Sequence, residues 1–534
     1  MIWSRKSIWQ GGNMMKQIMN LIRTYGVKDF FWKSYEKINS PMKKYSTEYQ
    51  KYLPDEQEIQ KQWQTSFSLE PRISIVVPAY ETNVVFLEQL IQSIKEQTYP
   101  DWQLCIADGS ISDTVEKYMD SHCQSEERII YKHLRSNGGI AVNTNEAIEM
   151  ACGEYICFVD HDDILTPNAL FEMVSALNEH PEAEVFYSDE DKVSEDLNVY
   201  SDPHFKPDFN EKLLRSYNYI CHLVMISRKL VDRAGMLRGE YDGAQDYDYM
   251  LRCTDEAAEV IHVPKILYHW RICAGSTAGN SFNKTYAKDG GTKALESYLS
   301  KKKIRDAKVV SRVDSGSYQI SYPVKDDAKV IMLRPEAGHE EILNSVADYI
   351  VFVDENIELS DGWEQELLGV LSLPEVGMVG GKIIDGKKIA VNGLYSDNEY
   401  GIICGFENLS VYYRGYQKRA VLTQNVEAVS LRFAAVKKSV YERIAEIQNE
   451  KKESLQDNVS VEEDSLWMGR EIWKLGLEVV QVPAATAKLI DNKNKREKII
   501  RFERKNSVNF DGKYMPQNLF QGKDGQWYLK KRKC

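Results

Sequence analysis

Residues 155–163 read Tyr-Ile-Cys-Phe-Val-Asp-His-Asp-Asp, a largely apolar run followed at once by three acids. A short apolar run of this kind is typical of a buried strand. Because side chains alternate along an extended chain, Asp160 and Asp162 are expected to point to the same side. Open α/β sheets bind ligands at the carboxyl ends of their strands. Two carboxylates there suit Mg²⁺ or Mn²⁺, which usually also take phosphate oxygens of a substrate.

The alternative is a polar loop in which an Asp caps the next helix. Three acids so close together repel one another without a counter-ion, which favours the metal interpretation.

Outward from this stretch, strand-like and helix-like patterns alternate from Arg72 to about residue 303. Apolar runs predict strands at 73–77, 102–107, 129–134, 155–159, 184–187, 260–263 and 266–270. Helical spacing predicts helices at 84–96, 115–123, 138–151, 167–177, 228–234, 246–256 and 284–303. This alternation is typical of an α/β fold with a mostly parallel sheet.

Part of the pattern recurs later in the chain. Residues 155–160 match 349–354 (Tyr-Ile-Val-Phe-Val-Asp), and residues 245–252 pair with 463–470. We interpret this as a degraded internal duplication. The predicted organisation is a basic, largely helical leader at 1–70, a first α/β domain at 71–305, a second at 306–487 and a basic tail at 488–534.

Three more strand-to-loop junctions are expected at the same sheet edge as the acids. They are Pro78-Ala79-Tyr80-Glu81, Asp108-Gly109-Ser110 and Asn137-Gly138-Gly139. Their acids could hold a ribose or a base, and their small residues let a ligand approach. Ordinary turn chemistry explains Asp-Gly-Ser equally well, and the paired glycines serve either a tight turn or a backbone-lined pocket.

Gly243-Ala244-Gln245-Asp246 opens a predicted helix. The helix dipole favours an anionic Asp at this end. Facing a sugar site, Asp246 could accept a proton from a hydroxyl as general base. A plain helix cap explains the residue equally well.

Two further polar clusters are candidates for ligand contacts. Asp189, Glu190 and Asp191 could hydrogen-bond sugar hydroxyls or form a solvated turn. His269 could be another metal ligand, although a lone histidine is more often structural. Arg271, with the hydroxyls of residues 276 and 277, could bind phosphate.

Composition excludes several classes of protein. Hydrophobic residues make up 43% and charged residues 28%, which is ordinary for a globular chain. No run approaches the roughly 18 apolar residues of a membrane helix, and no secretory signal is readable. The nine cysteines include no C-x-x-C pair, which argues against a disulfide scaffold or zinc ribbon and fits the cytoplasm.

The net charge of −12 is unevenly distributed. Residues 1–53 carry +7, residues 488–534 carry +9, and the chain between them carries −28. An acidic middle argues against a nucleic-acid partner. The basic ends are either solvated charge or a peripheral contact with the anionic inner face of the plasma membrane.

Together these motifs resemble the family 2 inverting glycosyltransferases of GT-A fold, especially the bacterial group that builds rhamnose-containing and O-antigen-like surface polysaccharides. The resemblance covers about residues 72–302. It rests on the order and spacing of the motifs at 73–80, 97–100, 108–110, 137–139, 160–163, 188–192, 245–248, 269–271 and 276–278. It implies a Rossmann-like GT-A catalytic domain followed by a smaller, degenerate GT-A-like α/β domain.

The resemblance also implies roles at matching positions. Asp246 is the expected catalytic base, with Gln245 where the family usually has an acid. Asp160 and Asp162 are the expected ligands of Mg²⁺ or Mn²⁺, joined by His269. The expected nucleotide-sugar site comprises Pro78, Tyr80, Glu81, Asp108, Asn137, Gly138, Asp160 and His161. The expected acceptor or sugar site comprises Asp189, Glu190, Asp191, Gln245, Trp270 and Arg271.

The implied reaction is direct displacement with inversion. Its donor would be dTDP-rhamnose or a UDP-hexose, and its acceptor a hydroxyl of a growing, lipid-linked surface glycan. In the second unit, Asn356 stands at the position of Asp162, and the segment before Tyr349 is too short for a complete nucleotide-binding half. Asp464 persists at the position of Asp246.

Two alternatives come from other classes. A non-catalytic scaffold of a polysaccharide assembly complex is one, because the second unit already lacks part of the motif set. A sugar nucleotidyltransferase is the other. It would place a glycine-rich, basic phosphate loop after the first strand, where Pro78-Ala79-Tyr80-Glu81 stands instead.

Overall fold

A computed structural model describes residues 41–273, 281–312, 316–337, 339–397, 401–451, 460–490, 512–522 and 525–530. Most of the predicted basic leader and tail, and residues 276–278, lie outside these ranges.

The first sheet has nine strands, most of them parallel. Its order is β3-β2-β1-β4-β8-β6-β9-β5, with β7 beside β6. Strand β8 runs antiparallel to both of its neighbours, β4 and β6. The strands are β1 (Ile73–Ala79), β2 (Trp102–Asp108), β3 (Ile129–His133), β4 (Tyr155–Phe158), β5 (Ile164–Leu165), β6 (Val185–Ser194), β7 (Tyr200–His204), β8 (Val224–Ser227) and β9 (Val260–Ile272).

The helices up to the end of this unit are α1 (Tyr45–Glu48), α2 (Glu56–Trp63), α3 (Val84–Lys95), α4 (Thr114–His122), α5 (Ile140–Met150), α6 (Ala169–Glu179), α7 (Glu211–Ser216), α8 (Arg228–Ala234), α9 (Gln245–Glu256) and α10 (Ser281–Lys301). Helices α3 to α6 and α8 to α10 agree with the predicted ones within a few residues, whereas α7 falls on no predicted helix. Two strands are longer than predicted. Strand β6 continues through the acids at 189–191, and β9 joins the two runs predicted at 260–270.

The core lies on both faces of the sheet. Every residue of β1 and β2 is buried, as expected for parallel strands covered by helices on both sides. Ile75 shares a cluster with Leu87 of α3, whereas the next residue, Val76, shares one with Ile148 of α5. This packing brings the carboxyl ends of β1, β2 and β4 to one sheet edge.

The second sheet repeats part of the first. Its order is β12-β13-β20-β15-β21-β14, with β16 beside β15. The strand directions match those of β1-β4-β8-β6-β9-β5, with β16 in the place of β7. Within the described residues, this sheet has no counterpart of β2 or β3. The predicted fold class, with a smaller degenerate second unit, is therefore confirmed, while the domain boundaries stay predictions.

The remaining elements belong to the second unit and the C-terminal segment. The strands are β10 (Lys308–Ser311), β11 (Tyr318–Ser321), β12 (Val330–Leu333), β13 (Tyr349–Val353), β14 (Ile357–Leu359), β15 (Val376–Asp385), β16 (Lys388–Val391), β17 (Leu394–Asp397), β18 (Gly401–Cys404), β19 (Gln424–Asn425), β20 (Phe433–Lys437), β21 (Glu478–Leu489), β22 (Leu519–Gln521) and β23 (Trp527–Leu529). The helices are α11 (His339–Asn344), α12 (Trp363–Leu371), α13 (Lys438–Lys451) and α14 (Val461–Lys474).

The two ends of the described chain pack together across both units. Tyr45 and Trp527 share an apolar cluster with Phe205 from the first unit and Phe406 from the second. The ring of Tyr49 stacks on that of Tyr200 with centroids 4.0 Å apart. Within the described residues, no helix is both long and apolar enough to cross a membrane.

A buried ion-pair cluster joins helix α7 to the second sheet. The Lys212 ammonium lies 2.8 Å from Glu375 and 2.7 Å from Glu478, and its side chain is 2% exposed. Arg215 also reaches Glu375, at 3.3 Å. The cluster fixes the second unit against the first.

We predict that Lys212→Ala lowers the free energy of unfolding by about 3 kcal/mol, because two carboxylates lose their buried partner. Chemical denaturation of the whole chain measures the change. The control is Lys51→Ala, which breaks an exposed pair with Glu48 and should cost at most about 1 kcal/mol. Equal costs for both variants would contradict this assignment.

Candidate active site

Strand pairing brings Asp160 to a histidine 62 positions later in the chain. Strands β4 and β8 are antiparallel with Phe158 opposite Val224. Continuing that register by two residues places Asp160 opposite His222. Ligand atoms of Asp160, Asp163 and His222 lie within 4.8 Å of one another. The His222 ring is fixed by Tyr268, stacked on it with centroids 4.5 Å apart.

Asp163 is the buried member of this cluster. Its carboxylate accepts a hydrogen bond from the Tyr268 hydroxyl at 2.5 Å and one from the Arg271 backbone N–H at 2.7 Å. Burial raises the pKa of Asp163 well above its usual range, and the charges of Asp160 and Asp162 raise it further. Burial also raises the pKa of Asp162. A divalent cation would relieve this electrostatic cost, so the donor set of carboxylate oxygens and one imidazole fits Mg²⁺ or Mn²⁺.

Asp246 lies close to this cluster, as the second residue of α9. Burial raises the pKa of its carboxyl; His222 acts in the opposite direction, and Asp160 raises it further. The Asn218 side chain donates a hydrogen bond to Asp246 Oδ2 at 3.0 Å. The other carboxamide atom of Asn218, Oδ1, is buried and without a partner among the described residues. These contacts place Asp246 beside the Asp160 cluster, and its role as the base stays a prediction.

The predicted nucleotide-binding edge is held in shape by its own acids. Glu81 accepts hydrogen bonds from the backbone of Ile111 at 2.7 Å and of Ser112 at 3.1 Å. Asp108 accepts from Ser110 and, at 2.8 Å, from the Tyr131 hydroxyl, and it is fully buried. These two acids order the loops, and their predicted contacts with a ribose or a base stay predictions.

The other predicted nucleotide-site residues surround that edge. Pro78 is buried within β1, whereas the Tyr80 side chain is exposed. The Asn137 side chain accepts from Gly139 N–H at 3.0 Å and from the Asn143 amide at 3.1 Å. The pair Gly138-Gly139 allows close packing, since a Cβ on Gly139 would lie 2.3 Å from Asp242. The Nδ1 atom of His161 is buried without a partner among the described residues.

The structure places His269 away from the Asp160 cluster. Its Nδ1 lies 2.5 Å from Asp191, which also accepts from the Tyr45 hydroxyl at 2.5 Å. His222, which sequence reasoning missed, completes the cluster instead. The physical reason is the alternation of side chains along β9, because the neighbouring Tyr268 and Trp270 contact His222 and the residue between them faces the other side.

The acids at 189–191 are buried strand residues with internal partners, which rules out the alternative of a solvated turn. Asp189 lies 2.9 Å from His262 Nε2. Glu190 pairs with the buried Lys206 ammonium at 3.2 Å. Burial acts to raise the pKa of Glu190, but Lys206 and His204 hold it well below its usual range. The predicted role of these acids in acceptor or sugar binding stays a prediction.

Three other predicted contacts have local partners. Arg271 is buried and donates from Nε to the Asp162 carbonyl at 2.6 Å, so it holds the acidic loop rather than an open phosphate site. Gln245 Oε1 accepts from Gly243 N–H at 2.7 Å. Trp270 lies edge-on to His222 with centroids 5.8 Å apart, which leaves it beside the cluster.

Sequence reasoning missed His222, Asp163 as a ligand, and Asn218. One signal was available: the apolar run Leu223-Val224-Met225-Ile226 ends in Ser227, which caps the next helix. This run predicts a strand directly after His222. Its pairing with β4 could not be read from the sequence.

Residues 74–235 match the model of the family described as glycosyl transferase family 2. They form a family 2 glycosyl transferase domain. The prediction of such a domain is thereby confirmed.

Curated relatives extend the match. The chain is 36% identical over 284 residues to the uncharacterized protein y4gI of Sinorhizobium fredii, covering 53% of this chain and 31% of that protein. It is 30% identical over 285 residues to the O-antigen biosynthesis protein RfbC of Myxococcus xanthus. This match covers 53% of this chain and 22% of RfbC. The chain thus spans less than a third of the length of either relative. Among solved structures, S. aureus TarS 1-349 with UDP-GlcNAc aligns with TM-score 0.33 at 18% identity, covering 43% of this chain and 73% of that one.

We predict that His222→Asn weakens Mn²⁺ binding by at least about 100-fold, since losing even a supporting partner of a ligand costs about 10–100-fold. His269→Asn is the matched control and should leave Mn²⁺ affinity within a few-fold of wild type. Electron paramagnetic resonance titration of the full chain measures both. If His269→Asn weakens Mn²⁺ binding more than His222→Asn does, His269 is the ligand.

Proposed function

We propose that the family 2 domain transfers a sugar from a nucleotide-sugar to a hydroxyl of a cell-surface polysaccharide, with inversion. The observation that carries the proposal is the closeness of a half-buried general-base candidate, Asp246, to the Asp160, Asp163 and His222 cluster. The family match and a relative named for O-antigen biosynthesis support the same activity.

The chemistry follows from the placement of these groups. A divalent ion held by Asp160, Asp163 and His222 would supply positive charge to the diphosphate leaving group. Asp246 accepts the proton of the acceptor hydroxyl as that oxygen forms a bond to the anomeric carbon. The bond from this carbon to the phosphate oxygen breaks in the same displacement, which inverts the configuration. Asn218 holds the carboxylate of Asp246 in place for the proton.

The donor is proposed at the level of a nucleoside diphosphate sugar, with dTDP-rhamnose and UDP-hexose as the two candidates. Exposed Tyr80 and the loop ordered by Glu81 and Asp108 supply the nucleotide-binding edge.

The proposed setting is the inner face of the plasma membrane, where a lipid-linked glycan would be the acceptor. The basic segments 1–53 and 488–534 support this setting through attraction to anionic lipids.

Asp246→Asn is expected to lower kcat by at least about 1,000-fold, because the amide cannot accept the proton. Binding of the nucleoside diphosphate, measured by calorimetry with Mn²⁺, should be unchanged within a few-fold. Asp464→Asn, the matched variant in the second unit, should retain activity. If the Asp246→Asn variant binds the nucleotide and also keeps its turnover, Asp246 is not the base.

The pH dependence should report the Asn218 hydrogen bond. Asp246 works as a base only when deprotonated, so activity should rise with pH through its raised pKa. Asn218→Ala removes a donor that stabilises the carboxylate, so the acidic limb of the kcat profile should move to higher pH. A lower kcat with an unmoved limb would mean that Asn218 contributes only to folding.

A further inference from the structure

The second sheet contains a position equivalent to His222, and it holds an arginine. Strands β13 and β20 are antiparallel with Phe352 opposite Ala434. Continuing that register by two residues places Asp354 opposite Arg432. Asp354 N–H also donates to the Arg432 carbonyl at 2.9 Å. Asp354 and Arg432 therefore repeat the placement of Asp160 and His222.

The guanidinium of Arg432 lies between two acids. It contacts Asp354 Oδ2, and Glu462 Oε1 lies 2.6 Å from Nη2 and 3.1 Å from Nε. Glu462 is the second residue of α14, as Asp246 is of α9. Arg432 is 9% and Asp354 4% exposed. One fixed cation thus joins the counterpart of Asp160 to an acid in the first turn of α14.

Both carboxylate oxygens of Asp354 already have partners within the protein. Asp354 Oδ1 accepts from both the backbone and the side-chain N–H groups of Asn356 at 2.8 Å. Asn356 and Ile357 stand where the first unit has Asp162 and Asp163. The buried carboxylates that need an ion in the first site are replaced here by an amide and a hydrocarbon.

The sequence pairing places Asp464, two residues after Glu462, at the position of Asp246. Asp464 and Asp246 lie equally far before the strand that follows each helix, and α14 begins two residues earlier than α9 on that count. Burial raises the pKa of Asp464, with Glu463 and Glu462 adding to the shift. The acid that Arg432 reaches is Glu462.

We infer that the Arg432 guanidinium permanently takes the place of the divalent ion in the second unit, which closes that copy of the site. The missing counterparts of β2 and β3 remove the nucleotide-binding edge as well. The described chain then has one metal-dependent donor site. Resting on the proposed function, this means that the described chain forms one kind of glycosidic bond, and a separate transferase domain adds any alternating sugar.

The first test counts Mn²⁺ bound to the full chain by electron paramagnetic resonance. We expect one equivalent in wild type, none in Asp160→Asn and one in Asp354→Asn. A second equivalent that disappears in Asp354→Asn would overturn the inference. If wild type binds no Mn²⁺, the metal dependence of the proposed function fails, and the second test alone decides the inference.

The second test follows thermal unfolding of Arg432→Ala and Arg432→Lys. Arg432→Ala should lower the Tm by about 5 °C or more, because Asp354 and Glu462 lose their shared cation. Arg432→Lys keeps a cation and should recover part of the loss. Added Mn²⁺ should raise the Tm of Arg432→Ala more than that of wild type. An Arg432→Ala variant as stable as wild type would overturn the inference.

If Arg432→Ala does not fold, Mn²⁺ binding to Arg432→Lys tests the inference. It should fold and bind no second Mn²⁺ equivalent, whereas a second equivalent in Arg432→Lys would contradict the inference.

Discussion

The antiparallel pairing of β8 with β4 is the constraint on which the site depends. It places residue 222 opposite residue 160, at the edge where the neighbouring parallel strands end. The ring of Tyr268 then fixes His222, and its hydroxyl binds Asp163. Because one strand register controls these contacts, a shift by one residue would separate the cluster.

The same pairing in the second sheet shows that the backbone arrangement does not by itself decide function. Register and strand directions are repeated, yet Arg432 replaces His222. In the first unit, burial and the neighbouring acids raise the pKa of Asp163 and of Asp162, which prepares the site for a cation. In the second, burial acts to lower the pKa of Arg432, but Glu462 and Asp354 outweigh that effect. The pairing of charges within the protein leaves nothing for an added ion to neutralise.

The two units are packed as one body rather than linked loosely. The Lys212 cluster and the hydrogen bonds between Asn210 and Asn425 tie α7 to the second sheet. Tyr247 of α9 also stacks on Tyr318 with centroids 5.7 Å apart. Since Asp246 precedes Tyr247, the second unit supports the helix that carries the base. A closed copy can thus persist through its packing role.

Local sequence was sufficient for most elements of the first unit and for several candidate site residues. The run 155–160, the helix start at Asp246 and the matching run at 349–354 follow from periodicity and turn chemistry, which depend on neighbours in the chain. Tertiary structure alone decided the partners. His222 joined Asp160 through strand register, and His269 was turned to Asp191, which the distant Tyr45 also contacts. Register and burial arise from contacts between residues far apart in the chain, so no local pattern contains them.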